Sequence, residues 1–414
     1  METAALIVIL VIGLALFFDF TNGFHDTANA MATPIATGAL KPRVAVLLAA
    51  VLNLVGAFLS TEVSKTISHG IIREDQITPT EFLPLIFAGL IGAITWNMLT
   101  WLLGLPSSSS HALFGGLIGA TIVGVGVLAI DFGVVMSKVV LPAVIAPFTA
   151  GLIAFAATKA AYVVTRRNDG KPDGRDGFRW GQIFSSSLVA LAHGTNDAQK
   201  TMGVITLALI MAGWQDAENA DPQLWVIFAC ALTIALGTYM GGWRIIRTLG
   251  KGLTDVKPAQ GYSAETSTAA TILASSALGF ALSTTQVASG SVIGSGLGRR
   301  GSTVRWRTVG RIVVGWLLTL PAAGLVGALA ALMVAWLGGW GILVDTVLAV
   351  VIVLGIFLRS RRDRVSAANA MSEVAHSGRA VKLRRNPPPT RRQRRAARVT
   401  EAPGDQSGDD GKVG

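Results

Sequence analysis

The sequence predicts an all-α polytopic membrane protein, built from two inverted-topology repeats with broken motif helices and two re-entrant helical hairpins. Three observations lead to this fold class. Of the 414 residues, 51% are hydrophobic and only 14% are charged, and the mean hydropathy is +0.55, which is more apolar than a soluble domain. Apolar runs recur along the chain. Two polar motifs each occur twice at nearly the same separation.

The apolar runs are long enough to cross a bilayer as helices, since about 20 apolar residues span its hydrocarbon core. Their hydrophobicity is continuous and does not alternate, which favours helices over a β-barrel. The runs lie at about residues 4–22, 43–60, 82–104, 139–164, 182–212, 223–243, 309–338 and 341–358. The first run lacks a basic leader and a cleavage context, so we expect a retained helix and not a signal peptide.

Positive charge is concentrated in linkers and in the C-terminal tail. Residues 359–414 hold 14 Lys and Arg against 6 Asp and Glu, so the tail carries most of the net charge of +11. Its polar, proline-containing composition predicts a disordered tail that faces lipid headgroups, not nucleic acid. Because basic loops stay inside, we place the tail and the linkers at 166–179, 244–257 and 299–307 in the cytoplasm.

Two motifs repeat along the chain. "LPSSSSHALFGGLIGA" (105–120) aligns with "FALSTTQVASGSVIGS" (280–295), and "GFHDTANAMA" (23–32) aligns with "GTNDAQKTMG" (194–203). The basic linkers give the two copies opposite predicted orientations in the membrane. Inverted repeats with broken helices that meet near the midplane are the pattern expected of a secondary transporter, and a passive anion channel is the alternative.

The repeats divide the chain into segments. We expect a first inverted repeat at 1–164 with a hairpin at 82–120, a basic cytoplasmic linker at 165–181, a second inverted repeat at 182–338 with a hairpin at 258–298, a final transmembrane helix at 339–358, and the tail at 359–414.

The motif at residues 23–32, repeated at 194–203, places a carboxylate inside an apolar segment in each half of the chain. An ionised carboxylate in hydrocarbon costs at least a few kcal/mol, so Asp26 and Asp197 should face a polar cavity. His25 beside Asp26 is a candidate proton carrier, because small environmental changes alter its charge near neutral pH. A structural polar network that ties helices together is the alternative for these residues.

Hydroxyl groups mark both hairpin tips, at residues 107–110 and 283–285. A turn that opens a helix offers free backbone N–H groups and a positive dipole end, which together suit a tetrahedral oxyanion. Phosphate fits better than sulfate, since phosphate retains protons that it can donate to a carboxylate. The alternative is that each hydroxyl bonds only to its own helix. Pairs of glycines four residues apart, Gly115/Gly119 and Gly290/Gly294, predict close helix packing behind the tips.

The four segments "NGFHDTANA", "GLPSSSSHALFGG", "HGTNDAQKTMG" and "STTQVASGSVIG" resemble the signature of the inorganic phosphate transporter (Pit) family of secondary symporters, over residues 19–298. The resemblance is greatest to its bacterial proton-coupled, low-affinity branch. It implies phosphate uptake by a substrate site at Asp26, Asn29, Ser108, Ser109, Ser110, Asn196, Asp197, Ser283, Thr284 and Thr285. It also implies coupling through His25, Asp26, Asp197 and Lys200.

The most specific prediction concerns the ion that drives transport. Sodium-coupled members of the family commonly show Gly-Ala-Asn-Asp where this chain has Gly23-Phe24-His25-Asp26. The resemblance therefore favours proton symport of phosphate, carried alone or as a neutral complex with a divalent metal. Sodium-coupled phosphate or sulfate symport on the same scaffold is the alternative.

Several further expectations concern the protein's class and surroundings. We predict a multi-pass protein of the plasma (inner) membrane that is embedded in lipid and has a cytoplasmic C-terminal tail. We predict no enzyme activity, no cofactor and no dedicated metal site, since no nucleophile–base arrangement or metal-ligand set can be assembled. The single cysteine, Cys230, excludes a disulfide framework. Assembly into a homo-oligomer is left open.

Overall fold

The computed structural model describes residues 2–68, 72, 73, 77–165, 172–216, 218, 220–280, 282–362, 365 and 366. Within these ranges every named element is a helix, which confirms the predicted all-α class. The helices are α1 (Glu2–Thr37), α2 (Pro42–Gly56), α3 (Glu62–Ser68), α4 (Pro79–Leu103), α5 (Ser109–Gly124), α6 (Phe132–Val134), α7 (Leu141–Val164), α8 (Pro172–Met211), α9 (Leu224–Met240), α10 (Trp243–Arg247), α11 (Pro258–Ala277), α12 (Thr284–Gly298), α13 (Trp306–Leu337) and α14 (Gly339–Ser360). The predicted disordered tail lies outside the described residues from 367 onward.

Several described helices can cross a membrane. By length and composition there are five, namely α1, α4, the continuous stretch Phe132–Val164 that ends in α7, α13 and α14, with a sixth if α9 and α10, bent by 56°, form one span. Two predicted spans differ from the observed helices. α2 has only 15 residues. α8 has 40 residues, but its buried polar side chains make it less apolar than the others.

The two motif helices are continuous, which corrects the prediction that they are broken. α1 runs through Asp26 and α8 runs through Asp197 without interruption. Most of their polar side chains find partners on neighbouring helices, so the backbones keep their own hydrogen bonds and need no break. α8 begins at Pro172, inside the stretch predicted as a linker.

Two helix–loop–helix hairpins, α4–α5 and α11–α12, lie where the sequence predicts them. In each, a glycine with left-handed backbone closes the first helix, Gly104 with φ 64° and Gly279 with φ 70°. Glycine adopts this conformation without a steric penalty. A serine then caps the second helix through its side chain, Ser108 in α5 and Ser283 in α12. Both tips therefore use the same local geometry, while their re-entrant position in a bilayer stays a prediction.

The two halves also pack in corresponding ways. α5 packs against α13 and α12 packs against α7, while α1 contacts α9 and α8 contacts α2. A Cβ atom added at Gly119 would overlap the carbonyl oxygen of Gly324, and one at Gly294 would overlap that of Gly151. These backbone contacts confirm the close packing predicted from the paired glycines. The inverted orientation of the halves remains a prediction.

Candidate functional site

One face of α1 carries a buried polar stripe. Asn22, His25, Asp26, Asn29 and Thr33 follow one another at spacings that place them on one side of a helix, and all five are buried. Such side chains need partners inside the protein, because an unpaired buried polar group costs about 1–3 kcal/mol. The stripe therefore turns towards α8 and the two hairpins, which α1 contacts.

His25 pairs with its neighbour in sequence. Its Nδ1 lies 2.6 Å from Oδ1 of Asp26, and neither side chain is more than 1% exposed. Since an ionised carboxylate can only accept, Nδ1 donates in this pair. The other ring nitrogen, Nε2, lies 3.4 Å from the hydroxyls of both Thr100 and Ser107. His25 thus joins the Asp26 carboxylate to the end of α4 and the first hairpin tip.

Asp26 is the point at which both hairpin tips meet. Its carboxylate accepts from Ser109 at 3.2 Å in the first tip, and from Thr284 at 3.3 Å and Thr285 at 3.2 Å in the second. Asn29, one turn along α1, donates to Thr285 at 2.9 Å and lies 3.3 Å from Thr284. The N-termini of α5 and α12 therefore converge on one buried carboxylate.

Asp197 occupies the matching place on α8. Thr284 Oγ1 lies 3.1 Å from Asp197 Oδ2 as well as beside Asp26, and a hydroxyl has only one proton to share between these two acceptors. Lys200 forms a buried ion pair with Asp197. Its Nζ also donates to Ser110 Oγ at 2.6 Å and to the Leu282 carbonyl at 2.9 Å, so all three ammonium protons have acceptors.

His193 is a central residue that the sequence analysis missed. Its Nε2 lies 2.7 Å from Asp197 Oδ2 and 3.7 Å from Asp26 Oδ2, at ion-pair distance but without the alignment of a hydrogen bond to either. Its Nδ1 lies 3.2 Å from Asn53 Oδ1 on α2. The signal was present in "HGTNDAQKTMG", because His193 precedes Asp197 by four residues and so shares its helix face.

Three of the predicted substrate ligands form hydrogen bonds that stabilise the hairpin turns. Ser108 accepts the backbone N–H of His111 at 3.2 Å, and Ser283 accepts that of Gln286 at 3.3 Å. Asn196 donates to Ser276 at 2.9 Å and lies 3.3 Å from a further carbonyl in the second hairpin turn. The structure brings the other seven predicted substrate ligands, together with His25 and Lys200, into one cluster.

A further buried carboxylate, that of Glu265 on α11, was also missed. It accepts from Thr33 of α1, from Ser185 at 2.7 Å and from Gln182 at 3.1 Å, both on α8. Glu265 thus ties the second hairpin to both motif helices. No sequence motif predicted these contacts, because Glu265 and its partners lie on three helices, α11, α1 and α8, that are far apart in sequence.

The cluster has an unbalanced set of charges. Two carboxylates, Asp26 and Asp197, face one permanent cation, Lys200, and all three are buried. With both imidazoles neutral the cluster carries −1. Protonation of either His25 or His193 would neutralise it. Such an arrangement responds strongly to any added proton, cation or anion, because buried charges interact through a low dielectric.

The cluster also contains a set of atoms that could hold a metal ion. One ligand atom each from Asp26, His193 and Asp197 lie within 4.8 Å of one another. Carboxylate oxygens with an imidazole nitrogen suit a divalent cation. No metal ligands were predicted from the sequence, because Asp26 on α1 is far in sequence from His193 and Asp197 on α8.

Comparison with known proteins identifies the family of this chain. The sequence model of the phosphate transporter family matches residues 22–177 and 161–327. The chain belongs to the phosphate transporter family. The family resemblance predicted from the four motifs is thereby confirmed. Because the members of this family are transporters, the chain is a multi-pass membrane transporter and not an enzyme.

Curated relatives of this family member match most of its length. A probable low-affinity inorganic phosphate transporter of Mycobacterium bovis is 55% identical over 374 residues, which cover 90% of this chain and 88% of the relative. A protein of the same description from Bacillus subtilis is 42% identical over 333 residues, 80% of this chain and 98% of the relative. The solved structure of a sodium-dependent phosphate transporter shares the fold, with a TM-score of 0.71 and 24% identity over 80% of this chain and 99% of that one.

Proposed function

We propose that this member of the phosphate transporter family imports inorganic phosphate with low affinity and couples the import to protons. Relatives described as low-affinity inorganic phosphate transporters support the substrate. The single observation that carries the proposal is the position of Thr284, whose hydroxyl lies within 3.3 Å of both Asp26 and Asp197. This hydroxyl links the two carboxylates at the N-terminus of α12, and the N-terminus of α5 reaches the Asp26 carboxylate through Ser109.

The proposed phosphate site uses the hairpin tips as donors. The hydroxyls of Ser109, Ser110, Thr284 and Thr285 stand at the first turns of α5 and α12, where the helix dipole favours an anion. Ser108 and Ser283 would hold the tips in shape while retaining a hydroxyl proton to donate. Asp26 and Asp197 would accept protons from a protonated phosphate. Sulfate lacks such protons, so the carboxylates would repel it.

Charge balance favours a coupled mechanism. Near neutral pH phosphate brings at least one negative charge to a cluster that is already at −1 with neutral imidazoles. Accumulating buried negative charge is unfavourable unless cations accompany the anion. His25 and His193 each offer a site for one proton beside a carboxylate. Lys200 would contribute one positive charge, which its ion pair with Asp197 holds in place. Asn29 and Asn196 would position the second hairpin through their hydrogen bonds to Thr285 and Ser276.

A divalent cation that travels with phosphate is compatible with the same site. Asp26, His193 and Asp197 would hold it, and the cation would supply the charge that neutralises phosphate. Their mutual distances, up to 4.8 Å, support this role. In that case His193 would act as a ligand, and His25 would remain as the residue available for proton exchange.

Uptake into proteoliposomes tests the coupling ion. Purified full-length protein is reconstituted, and labelled phosphate uptake is measured while the pH gradient and the sodium gradient are varied independently. We expect accumulation when the outside is acidic and sodium is absent, and loss of accumulation with a protonophore. Liposomes with the Asp197→Asn/Lys200→Met variant, which lacks both charges of the buried ion pair, serve as the matched control. A requirement for sodium without any effect of the pH gradient would contradict proton coupling.

The same preparation distinguishes a symporter from a passive channel, and phosphate from sulfate as the preferred substrate. A passive anion channel would equilibrate phosphate with voltage but would not accumulate it against its gradient. An oxyanion symporter of low selectivity would be inhibited equally by phosphate and sulfate. We expect uphill accumulation and weak inhibition by sulfate.

We further propose that the protein lies in the plasma membrane with its C-terminal tail in the cytoplasm. The basic linkers and the basic tail support this orientation through the preference of positive loops for the inside. Fusion of a reporter enzyme that is active only outside the membrane to the C-terminus tests it. Activity of that fusion would contradict the proposed orientation.

A further inference from the structure

A cavity lies outside the polar cluster, since none of the cluster residues lines it. It has a volume of about 700 Å³ and opens between α1, α4, the bent pair α9–α10 and α14. Each of these walls is a helix or bent pair that is long and apolar enough to cross a membrane. The cavity, which we call the α14 groove, therefore lies where hydrocarbon surrounds the protein.

The α14 groove is apolar along most of its length. Its floor contains the aromatic residues Phe17, Phe20 and Trp101, and α14 contributes Val350 and Phe357. These α14 side chains are half exposed, at 59% and 46%. A hydrocarbon chain matches such a surface, whereas a hydrated ion does not.

Three hydroxyls line the groove without changing this character, and that of Ser360 donates to the Phe357 carbonyl at 2.7 Å. Thr21 donates to the Phe18 carbonyl at 2.8 Å, and Thr346 donates to the Ile342 carbonyl at 2.7 Å. Each hydroxyl thus gives its proton to its own helix. The groove is consequently unsuited to phosphate along its middle.

One end of the groove is strongly basic. Arg244 and Arg361 both line it. Arg244 donates to the Leu102 carbonyl at 3.2 Å and to the Ser360 carbonyl at 2.9 Å, so its guanidinium is fixed where the C-terminal ends of α4 and α14 meet. The guanidinium of Arg361 lies 5.8 Å from the ring centre of Phe357. Two cations therefore stand at the mouth of an apolar groove.

We propose that the α14 groove binds one anionic phospholipid, with an acyl chain along the aromatic floor and the headgroup phosphate at Arg361 and Arg244. Basic pockets between transmembrane helices recognise anionic headgroups through this combination of charge and apolar surface. Arg361 suits phosphate because the planar guanidinium of an arginine donates two parallel hydrogen bonds, while Arg244, held by the carbonyls of Leu102 and Ser360, adds positive charge beside it. The charge at the mouth selects a lipid over a second protein copy, whose apolar helix would bring no anion to these arginines.

Native mass spectrometry of the full-length protein tests the proposal. Delipidated protein in detergent is titrated with phosphatidylglycerol or with phosphatidylcholine of the same acyl chains. We expect phosphatidylglycerol to be retained at least about fivefold better, the factor that one basic residue near an anionic headgroup provides. Arg361→Gln should remove this preference. Arg359→Gln is the matched control, since Arg359 is at the same helix end but does not line the groove.

A second pair of variants tests the acyl-chain part of the groove. Val350→Trp should fill the groove and weaken binding of both lipids, while Val351→Trp, an equally exposed neighbour at 59% that does not line the groove, should not. Both side chains are exposed, so neither change should prevent folding. Equal retention of the two lipids, equal effects of the paired variants, or a dimer that Val350→Trp dissociates would each overturn the proposal.

Discussion

Lys200 of α8 donates a hydrogen bond to Ser110, at the tip of the first hairpin, across 2.6 Å. Ninety residues separate the two in sequence. The opposite link also exists, since Asn29 of α1 donates to Thr285 at the tip of the second hairpin at 2.9 Å. Each motif helix thus holds the hairpin of the other half. A conformational change at one hairpin tip should therefore alter the hydrogen bonds of both motif helices.

The ion pair of Asp197 with Lys200 should stabilise the fold as well as serve transport. In the Asp197→Asn variant the Lys200 ammonium remains buried without its anion, which costs roughly 3–5 kcal/mol. We expect a lower midpoint of thermal unfolding and no phosphate uptake. The double variant Asp197→Asn/Lys200→Met removes both charges, so it should recover most of the stability but not the uptake. A double variant that unfolds as early as the single one would argue against the pair.

His25 should control the pH dependence of transport more than the binding of phosphate. Its Nδ1 contacts Asp26, and its Nε2 faces only hydroxyls. In the His25→Asn variant we expect uptake to lose most of its response to external pH, because a site for one proton beside Asp26 is removed. The phosphate KM should change less than about threefold. An unaltered pH profile would remove His25 from the proton path.

Thr284 should be required because of its hydroxyl and not its shape. Thr284→Val removes the proton that Asp26 and Asp197 share, and we expect a loss of uptake of at least about tenfold together with roughly 1–3 kcal/mol of stability. Thr284→Ser should retain most of both. The matched control is Thr271→Val, because the Thr271 hydroxyl bonds only to the Ser267 carbonyl of its own helix at 2.8 Å. Equal losses in the two valine variants would contradict a special role for Thr284.

Close packing behind the first tip should be sensitive to a single methyl group. At Gly119 the added Cβ would overlap the Gly324 carbonyl oxygen, so Gly119→Ala should lower stability by about 1–3 kcal/mol. Gly315→Ala, in the neighbouring α13, is the control, because nothing lies within 4 Å of its Cβ position. That change should be neutral or stabilise by roughly 0.5–1 kcal/mol. Thermal unfolding in detergent measures both.

Local signals predicted the hairpins well. The second one was expected at residues 258–298, and α11 and α12 begin and end at these positions. Proline at the helix start, a left-handed glycine and a serine cap are all readable from a few neighbouring residues. The convergence of Asp26, Asp197 and the tip hydroxyls was predicted from the repeated motifs, because two copies of one arrangement point to a shared centre.

Long-range contacts explain what the sequence did not reveal. The motif helices were expected to break because broken helices are typical of transporters with inverted repeats, yet most of their polar side chains are satisfied by side chains from distant helices. Glu265 was overlooked for the same reason, since Thr33 and Ser185 reach it from α1 and α8. His193, in contrast, could have been predicted from helix periodicity alone. Its 2.7 Å approach to Asp197 stays on a single helix.

The glycine contacts bear on how the molecule can move. At Gly119 and Gly294 backbone touches backbone, with no side chain in between to absorb displacement. We therefore expect α5 to travel with α13, and α12 with α7, as two stiff bodies. Relative movement would occur where the hydroxyls of the hairpin tips contact the carboxylates of the motif helices, since these hydrogen bonds can be exchanged one at a time. Transport would then consist of a rocking motion of these two bodies about the buried polar cluster.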